Sequence, residues 1–276
     1  MPAPLHPLIS VIDVATVNNS QGNGPVTMIM DFYSISVKRM LNFKAKYGQQ
    51  PFDFNEGMMS FVSRNLVFTI GVDKKKEKVA KSGWVIYIYP DFIWNTSLAR
   101  VIKQYDFWDY SLREGLWLSE KEEEVITAII KNIDREYHSN IDQFGKSIII
   151  SHIEALLNYA DRFYHRKFIT REKSNHHILE SLEKLLTDYF NSDDLISKGL
   201  PTIAELAQSL NISAKYLSSL LKVLTGQNTQ QHIQDKLIEK AKENLATINL
   251  SVSEVAYELG FEHLQSFSKL FKAKTK

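Results

Sequence analysis

Side chains that carry out most covalent and metal chemistry are scarce in this sequence of 276 residues. It has no cysteine, which excludes disulfides, thiolate nucleophiles and thiolate metal ligands. No histidine lies between Pro7 and Tyr137 either, and carboxylates alone are a weak basis for a transition-metal site in that region. We therefore expect no catalytic residues, no metal site and no cofactor.

Aromatic side chains, in contrast, are dense between residues 52 and 94. Alternate residues of a barrel strand point inward, so some of these rings could line a pocket for an apolar or ring-bearing small molecule. Our candidate ligand-binding residues are Phe54, Arg64, Trp84, Tyr87 and Tyr89. The alternative is that these side chains only fill a packed core, and the sequence leaves both open.

A second set of candidate residues belongs to an internal repeat near the C-terminus, where 202–212 aligns with 251–261. Both copies open with serine or threonine followed three residues later by glutamate, the pattern of a helix capping box. Both end in leucine followed by Asn211 or Gly260, residue types that tolerate a left-handed backbone. Each copy therefore predicts a short helix that ends in a tight turn.

A further helix follows each turn. Ser213 can cap a helix over 214–224, and apolar spacing predicts its counterpart over 264–272. Helix, short turn and helix form a helix-turn-helix unit, whose second helix enters the DNA major groove. One long helix over 231–245 would join the two units and hold their reading helices about one DNA turn, roughly 34 Å, apart.

The region from Pro201 onward resembles the AraC family of transcription regulators. The stretch 252–272, VSEVAYELGFEHLQSFSKLFK, is close to the signature of that family. Lys236 and Ala241 lie where the family has Arg and Ala in its connecting helix, whereas Ser219 and Lys269 replace usual arginines. The family continues with a Ser-Pro and an aromatic-Arg pair that this sequence lacks, so we expect its C-terminal end to be truncated.

The resemblance implies which side chains contact DNA. These are Lys215, Ser218 and Ser219 in the first unit, and Leu264, Gln265, Ser266 and Lys269 in the second. We further expect DNA contacts with phosphates from Lys222, Lys272 and Lys274. Gln pairs bidentately with adenine, Lys binds guanine or phosphate, and Leu contacts a thymine methyl. From residue 201 onward nine lysines face seven acids, which predicts a local basic face rather than a cationic domain.

The N-terminal region has a different pattern. Three segments rich in β-branched and aromatic residues, 26–37, 58–70 and 84–89, are separated by turn signals and predict a small barrel or sandwich. By position and strand pattern it resembles the cupin-like sensor of many AraC-type regulators. A capping box at Ser119 and Glu122 then opens a series of helices that reaches residue 190.

These patterns predict an α+β multidomain chain. We expect a cupin-like sensor and dimerisation domain over 1–190 with helices over 119–190, a linker over 191–200, and an all-α tandem helix-turn-helix domain over 201–276. The N-terminus lacks a basic, uninterrupted apolar leader, and no apolar run is long enough to span a bilayer. We therefore expect a cytoplasmic protein without membrane contact.

The predicted function is that of a sequence-specific regulator that binds double-stranded DNA and is not an enzyme. The family adds four expectations: activation, contact with RNA polymerase, a small-molecule effector, and a homodimer formed through the middle helices. One alternative is an enzyme of cupin type with an accessory DNA-binding domain. A DNA-repair alkyltransferase would need a nucleophilic cysteine, which is absent. The other alternative is a helical protein-interaction module.

Overall fold

The structure is a computed structural model, and it describes residues 5–17, 26–40, 44–47, 50–53, 57–70, 81–111, 114–139, 142–170, 172–192, 195, 198–247 and 250–275. The chain divides into two compact units, Met1–Arg166 and Lys167–Lys276. Each unit is described by itself below.

The first unit is built on antiparallel strands. Their bounds are β1 Ile9–Asp13, β2 Val26–Met30, β3 Tyr33–Met40, β4 Lys44–Tyr47, β5 Gln50–Asp53, β6 Met58–Val62, β7 Leu66–Ile70, β8 Lys81–Ile88 and β9 Leu116–Trp117. Five of them form one sheet in the order β1-β8-β3-β6-β9, while β2 pairs with β7 and β4 with β5. The predicted N-terminal sheet is confirmed; a closed cupin barrel goes beyond these pairings.

Residue alternation gives the five-stranded sheet two chemically different faces. One face is apolar and fully buried, with Ile9, Ile35, Met59, Ile86 and Ile88 all at most 1% exposed. The opposite face mixes small hydroxyl side chains with valines, and these are also buried: Ser34, Ser36, Ser60, Val62 and Val85. The hydroxyls of Ser36 and Ser60 lie 2.7 Å apart and share a hydrogen bond across β3 and β6.

Helices pack beside this sheet. They are α1 Pro90–Ile93, α2 Ser97–Val101, α3 Glu120–Tyr137 and α4 Gly145–Thr170, with short 3-10 turns at Val14–Thr16, Ile102–Gln104 and Asp106–Asp109. The predicted capping box of Ser119 and Glu122 is present at the start of α3. Glu122 also forms an ion pair of 2.7 Å with Arg166 near the end of the unit. The boundary between the two units falls inside α4.

The second unit is entirely helical in its described residues. Its helices are α5 Glu172–Phe190, α6 Ile203–Ser209, α7 Ala214–Thr225, α8 Thr229–Thr247, α9 Val252–Glu258 and α10 Leu264–Thr275. One apolar core joins them, and Leu217, Ile233, Leu237, Val255 and Phe267 are among its most buried members. Among the described residues of the whole chain, no helix is long and apolar enough to cross a bilayer.

The unit boundary differs from the predicted domain boundary. The sequence pattern places helix α5 in the sensor domain, yet its Leu182, Leu186 and Phe190 lie in the core of the helical unit. The predicted linker also belongs to this unit in its described residues, since Leu195 is 3% exposed in the same core and the Tyr189 hydroxyl donates to Gly199 O at 2.9 Å. The reason is that the apolar face of α5 finds its partner in α8, a pairing that the sequence pattern does not show.

Candidate nucleic-acid interface

The two copies of the repeat fold into matching helix starts. In the first, Thr202 Oγ1 accepts from Glu205 N at 3.2 Å, and the Glu205 carboxylate accepts from Thr202 N at 2.8 Å. In the second, Ser251 and Glu254 make the same two bonds at 3.3 and 2.7 Å. Both predicted capping boxes are confirmed. The bonds that each carboxylate accepts from its cap residue stabilise the ionised form and lower its pKa, from the Thr202 amide and hydroxyl for Glu205 and from the Ser251 hydroxyl and amide for Glu254.

The turn after each short helix also begins with the same geometry. Asn211 has φ of 57° and Gly260 has φ of 78°, so both predicted left-handed residues are confirmed. The amide that follows each of them donates back to an alanine carbonyl at 3.0 Å, Ile212 N to Ala207 O and Phe261 N to Ala256 O. Each short helix is therefore closed by the same left-handed residue and the same backbone hydrogen bond before the second helix begins.

The second helix-turn-helix unit has one more residue in its turn than the first. Four residues separate α6 from α7, whereas five separate α9 from α10. Equivalent positions thus differ by 49 in residue number before the turn and by 50 after it. This register matches Lys215 with Gln265, and Ser219 with Lys269.

The second helices, α7 and α10, are the predicted reading helices, and each buries one face and exposes the other. Leu217, Leu220 and Leu221 of α7 and Phe267 of α10 are at most 1% exposed. Seven of the nine predicted DNA-contacting residues lie on exposed positions: Lys215, Lys222, Leu264, Gln265, Ser266, Lys269 and Lys272. The structure therefore exposes two lysines on α7 and a mixed Leu, Gln, Ser and Lys surface on α10.

The remaining two predicted contacts are half-buried. The Ser218 hydroxyl shares a hydrogen bond of 3.0 Å with Thr229 Oγ1, and Thr229 is fully buried at the start of α8. Ser219 is its neighbour on the same helix. In this arrangement the Ser218 hydroxyl joins α7 to α8, and its DNA contact stays a prediction.

Lys274 has a partner within the helical unit. Its ammonium group is 2.7 Å from Asp235 Oδ1 on α8, and its side chain is only 25% exposed. A lysine committed to a carboxylate is a poor phosphate contact, because the carboxylate offsets its charge. The structure therefore assigns Lys274 to contacts within the helical unit.

Sequence analysis missed a contact at the start of the first reading helix. Tyr216 of α7 is 7% exposed, and the Phe168 ring meets its ring edge to face with centroids 5.1 Å apart. Lys167 Nζ lies 5.5 Å from the centroid of the Tyr216 ring, within the range of a cation–π contact. Residues this far apart in the chain leave no local pattern, so no sequence signal points to the contact.

The candidate ligand-binding residues of the first unit do not all come together. Tyr87 and Tyr89 both contact Phe32, with ring centroids 4.8 and 5.3 Å apart, and burial raises the pKa of Tyr87. Trp84 lies on the opposite face of β8, because alternate residues of a strand point to opposite sides. Arg64 is exposed and donates to Asp31 O at 3.3 Å. Phe54 lies outside the described residues.

A cleft of about 650 Å³ lies elsewhere in this unit, between the start of β8 and α3. Its lining includes Ser82, Glu120, Glu123 and Lys131 and none of the candidate aromatic residues. Across the part of the chain that the structure describes, no group of three or more histidine, aspartate or glutamate side chains is arranged to hold a metal ion.

Comparison with known proteins supports the helical repeat. A family model described as "Helix-turn-helix domain" matches residues 206–276. The uncharacterized HTH-type transcriptional regulator YfiF of Bacillus subtilis (strain 168) is 30% identical over 146 residues, which cover 52% of this chain and 42% of that protein. The HTH-type transcriptional activator Btr of the same strain is 38% identical over 69 residues, 25% of this chain and 13% of its own length.

Among solved structures, the C-terminal domain of the two-component response regulator yesN from Fusobacterium nucleatum subsp. nucleatum ATCC 25586 is 28% identical. The match covers 34% of this chain and 86% of that domain, with a TM-score of 0.30. This chain thus contains a helix-turn-helix domain and is similar to HTH-type transcriptional regulators. It spans less than half the length of these two curated relatives.

Proposed function

We propose that this chain is a sequence-specific transcription regulator of AraC type, which binds double-stranded DNA through α7 and α10. The observation that carries the proposal is the repeated geometry of its two helix-turn-helix units. Both have the same caps and left-handed turn residues, and both present a polar reading helix from one shared core. A helical protein-interaction module has no need for two such units.

The side chains divide into two chemical roles. Gln265 and Lys269 lie one turn apart on the exposed side of α10 and are suited to adenine and guanine edges in the major groove. Lys222 and Lys272 occupy equivalent places in the last turns of α7 and α10, where they contact phosphates. Lys215 is the corresponding long polar side chain of the first reading helix.

The test is selection of DNA by the whole chain. A pool of duplexes with a random centre of about three DNA turns is enriched by the protein, and binding of the winning duplex is measured by fluorescence anisotropy at several salt concentrations. A regulator enriches one sequence, binds it at least about a thousandfold more tightly than random DNA, and loses affinity as salt rises. A pool that stays random would instead support the protein-interaction module.

The first unit is proposed to sense a small molecule in a cupin-like fold without metal, and the chain is proposed to act as a homodimeric activator that contacts RNA polymerase. Support for a ligand site comes from the hydroxyl-bearing face of the sheet, with the Phe32, Tyr87 and Tyr89 rings at one end of β8. Such a face offers hydrogen bonds and ring contacts to a polar ring-bearing molecule. We propose no catalytic role for it.

Thermal-shift screening of the whole chain against metabolites and divalent metals tests this sensor. A metabolite that raises the unfolding temperature should lose its effect in Tyr87→Ala but keep it in Trp84→Phe, since Trp84 lies on the other face of the strand. Stabilisation by a divalent metal alone, abolished by a chelator, would contradict the metal-free sensor. No stabilising compound from a broad library would favour a packed core.

A further inference from the structure

One carboxylate in the helical unit is shared between the two helix-turn-helix units. Asp235 lies on α8, and its Oδ2 accepts from Gln227 Nε2 at 2.9 Å. Its Oδ1 accepts from Lys274 Nζ at 2.7 Å. Gln227 lies two residues after the end of the first reading helix, in the turn to α8, and Lys274 lies in the last turn of the second reading helix. One oxygen of Asp235 thus bonds to the turn that follows α7 and the other to α10, and we call Gln227, Asp235 and Lys274 the Asp235 bridge.

Other ion pairs of α8 lack this geometry. Lys236 pairs with Glu239 at 2.7 Å and Lys240 with Glu243 at 3.1 Å, and in both cases the two residues are three apart on the same helix. The two glutamates are 69% and 59% exposed, whereas Asp235 is 42% exposed; the lysines of the three pairs are similar, at 31%, 22% and 25%. The Asp235 bridge thus joins separate elements through a carboxylate that is better shielded from water.

A neighbouring contact reinforces the attachment of the first reading helix. His232 lies one turn before Asp235, with Nε2 2.9 Å from Thr225 Oγ1 at the end of α7. The Thr225 hydroxyl donates to Leu221 O at 2.8 Å, so it must accept from His232. Burial lowers the pKa of His232, which favours the neutral ring with one N–H. One side of α8 is therefore hydrogen-bonded to the end of α7.

We infer that Asp235 is a positioning residue that fixes α7 and α10 relative to α8, and so sets the spacing of the two DNA half-sites. The inference rests on the proposed DNA-binding function. Its physical reason is that apolar packing is non-directional and leaves a helix some freedom to turn or slide. A carboxylate held from two sides by directed, partly charged hydrogen bonds removes that freedom.

The alternative role for Lys274, a phosphate contact, predicts a change in DNA affinity of the opposite sign when Asp235 is neutralised. If Lys274 bound DNA, Asp235→Asn would release its charge and remove a nearby anion, and affinity would rise on every sequence. If Asp235 positions the reading helices, the same substitution weakens binding only where both units must engage together.

The first experiment needs no DNA. Since the chain has no cysteine, Gln208→Cys in α6 and Ala273→Cys in α10 place two spin labels at exposed positions of the whole chain. Pulsed electron spin resonance then gives the distribution of distances between the two units. We expect a broader distribution for Asp235→Asn and an unchanged one for the matched control Glu239→Gln, which removes an ion pair within α8. The charge-reversed pair, Asp235→Lys with Lys274→Asp, should restore the narrow distribution.

The second experiment uses the duplex that the unaltered chain selects from a random pool. We expect Asp235→Asn to bind it about three- to fivefold more weakly, the scale of a partly exposed ion pair. Binding to a duplex with one half-site should be unchanged, and a short insertion between half-sites should harm the variant less than the unaltered chain. Unchanged distance distributions, or tighter DNA binding by Asp235→Asn, would overturn the inference. A chain that selects no duplex refutes the proposed function, and the distance measurement still decides the bridge.

Discussion

Gly260 in the turn of the second helix-turn-helix unit allows a quantitative test of why glycine occupies that position. Its φ is 78°, and a Cβ placed there would lie 2.9 Å from Leu195 O and 3.3 Å from Gly199 Cα. Gly226, which ends the first reading helix, has a φ of 75°, yet among the described residues nothing lies within 4 Å of its Cβ position. The two glycines therefore share the backbone conformation and differ in the space around them.

Gly226→Ala should lower the free energy of unfolding by about 1–2 kcal/mol, because alanine is disfavoured in the left-handed conformation. Gly260→Ala carries the same cost and must also displace backbone, which adds about 1–3 kcal/mol on the scale of overpacked cores. In a unit of this size each 1 kcal/mol lowers the unfolding temperature by about 4–8 °C. The second variant should therefore unfold at least several degrees below the first.

Differential scanning calorimetry of the two variants and the unaltered chain measures this difference. DNA binding adds a second measurement, because displacement of the turn should disturb α10 and leave α7 in place. We expect Gly260→Ala to lose discrimination at one half-site while Gly226→Ala keeps both. Equal unfolding temperatures for the two variants would show that the approach of Leu195 does not constrain this turn, and the reasoning from close contact would be wrong.

Further predictions concern caps and contacts. Ser251→Ala should cost about 1 kcal/mol in chemical denaturation, since α9 loses its cap. Hydrogen bonds hold the pKa of Glu254 below its usual value. The stabilisation that Glu254 gives to the fold is therefore complete above the unfolded pKa of about 4.3 and is lost as pH falls through the folded pKa. Glu254→Gln should flatten this acid decline in the unfolding temperature. Gln265→Ala should reduce discrimination at one or two base pairs by about 1–3 kcal/mol each, and equal loss on random DNA would reject it as a base reader. Lys222→Ala should weaken binding to all sequences and flatten its salt dependence, whereas sequence-selective loss would contradict a phosphate role.

Local chemistry explains what the sequence could predict. A capping box involves residues three apart, and a left-handed turn residue acts at its own position, so both repeats can be located from residue types and their spacing alone. The same holds for the β-branched segments of the N-terminal sheet. The exposed sides of α7 and α10 follow from helical periodicity once the buried leucines of α7 and the buried Phe267 of α10 are known.

Contacts distant in sequence explain the rest. The sequence pattern places Ser218 on the same side of α7 as the other predicted contacts. Only its hydrogen bond with the buried Thr229 hydroxyl shows that its side chain contacts α8. Lys274 looks like a phosphate contact until Asp235 is placed beside it. Trp84 and Tyr87 are three apart in one strand, and a pocket that uses both would need a helix there instead. Partners of this kind depend on tertiary packing, which periodicity alone does not specify.

The placement of α5 in the helical core has a consequence for domain exchange. Leu182, Leu186 and Phe190 are each at most 4% exposed, and burial of three such side chains stabilises a fold by roughly 5–9 kcal/mol. That sum is comparable to the whole stability of an ordinary domain. A chimera cut at Pro201, where the sequence motifs begin, would lack α5 and would expose the apolar surface that α5 covers. An exchange that keeps this core together must carry α5 along with both reading helices, as the compact unit Lys167–Lys276 does.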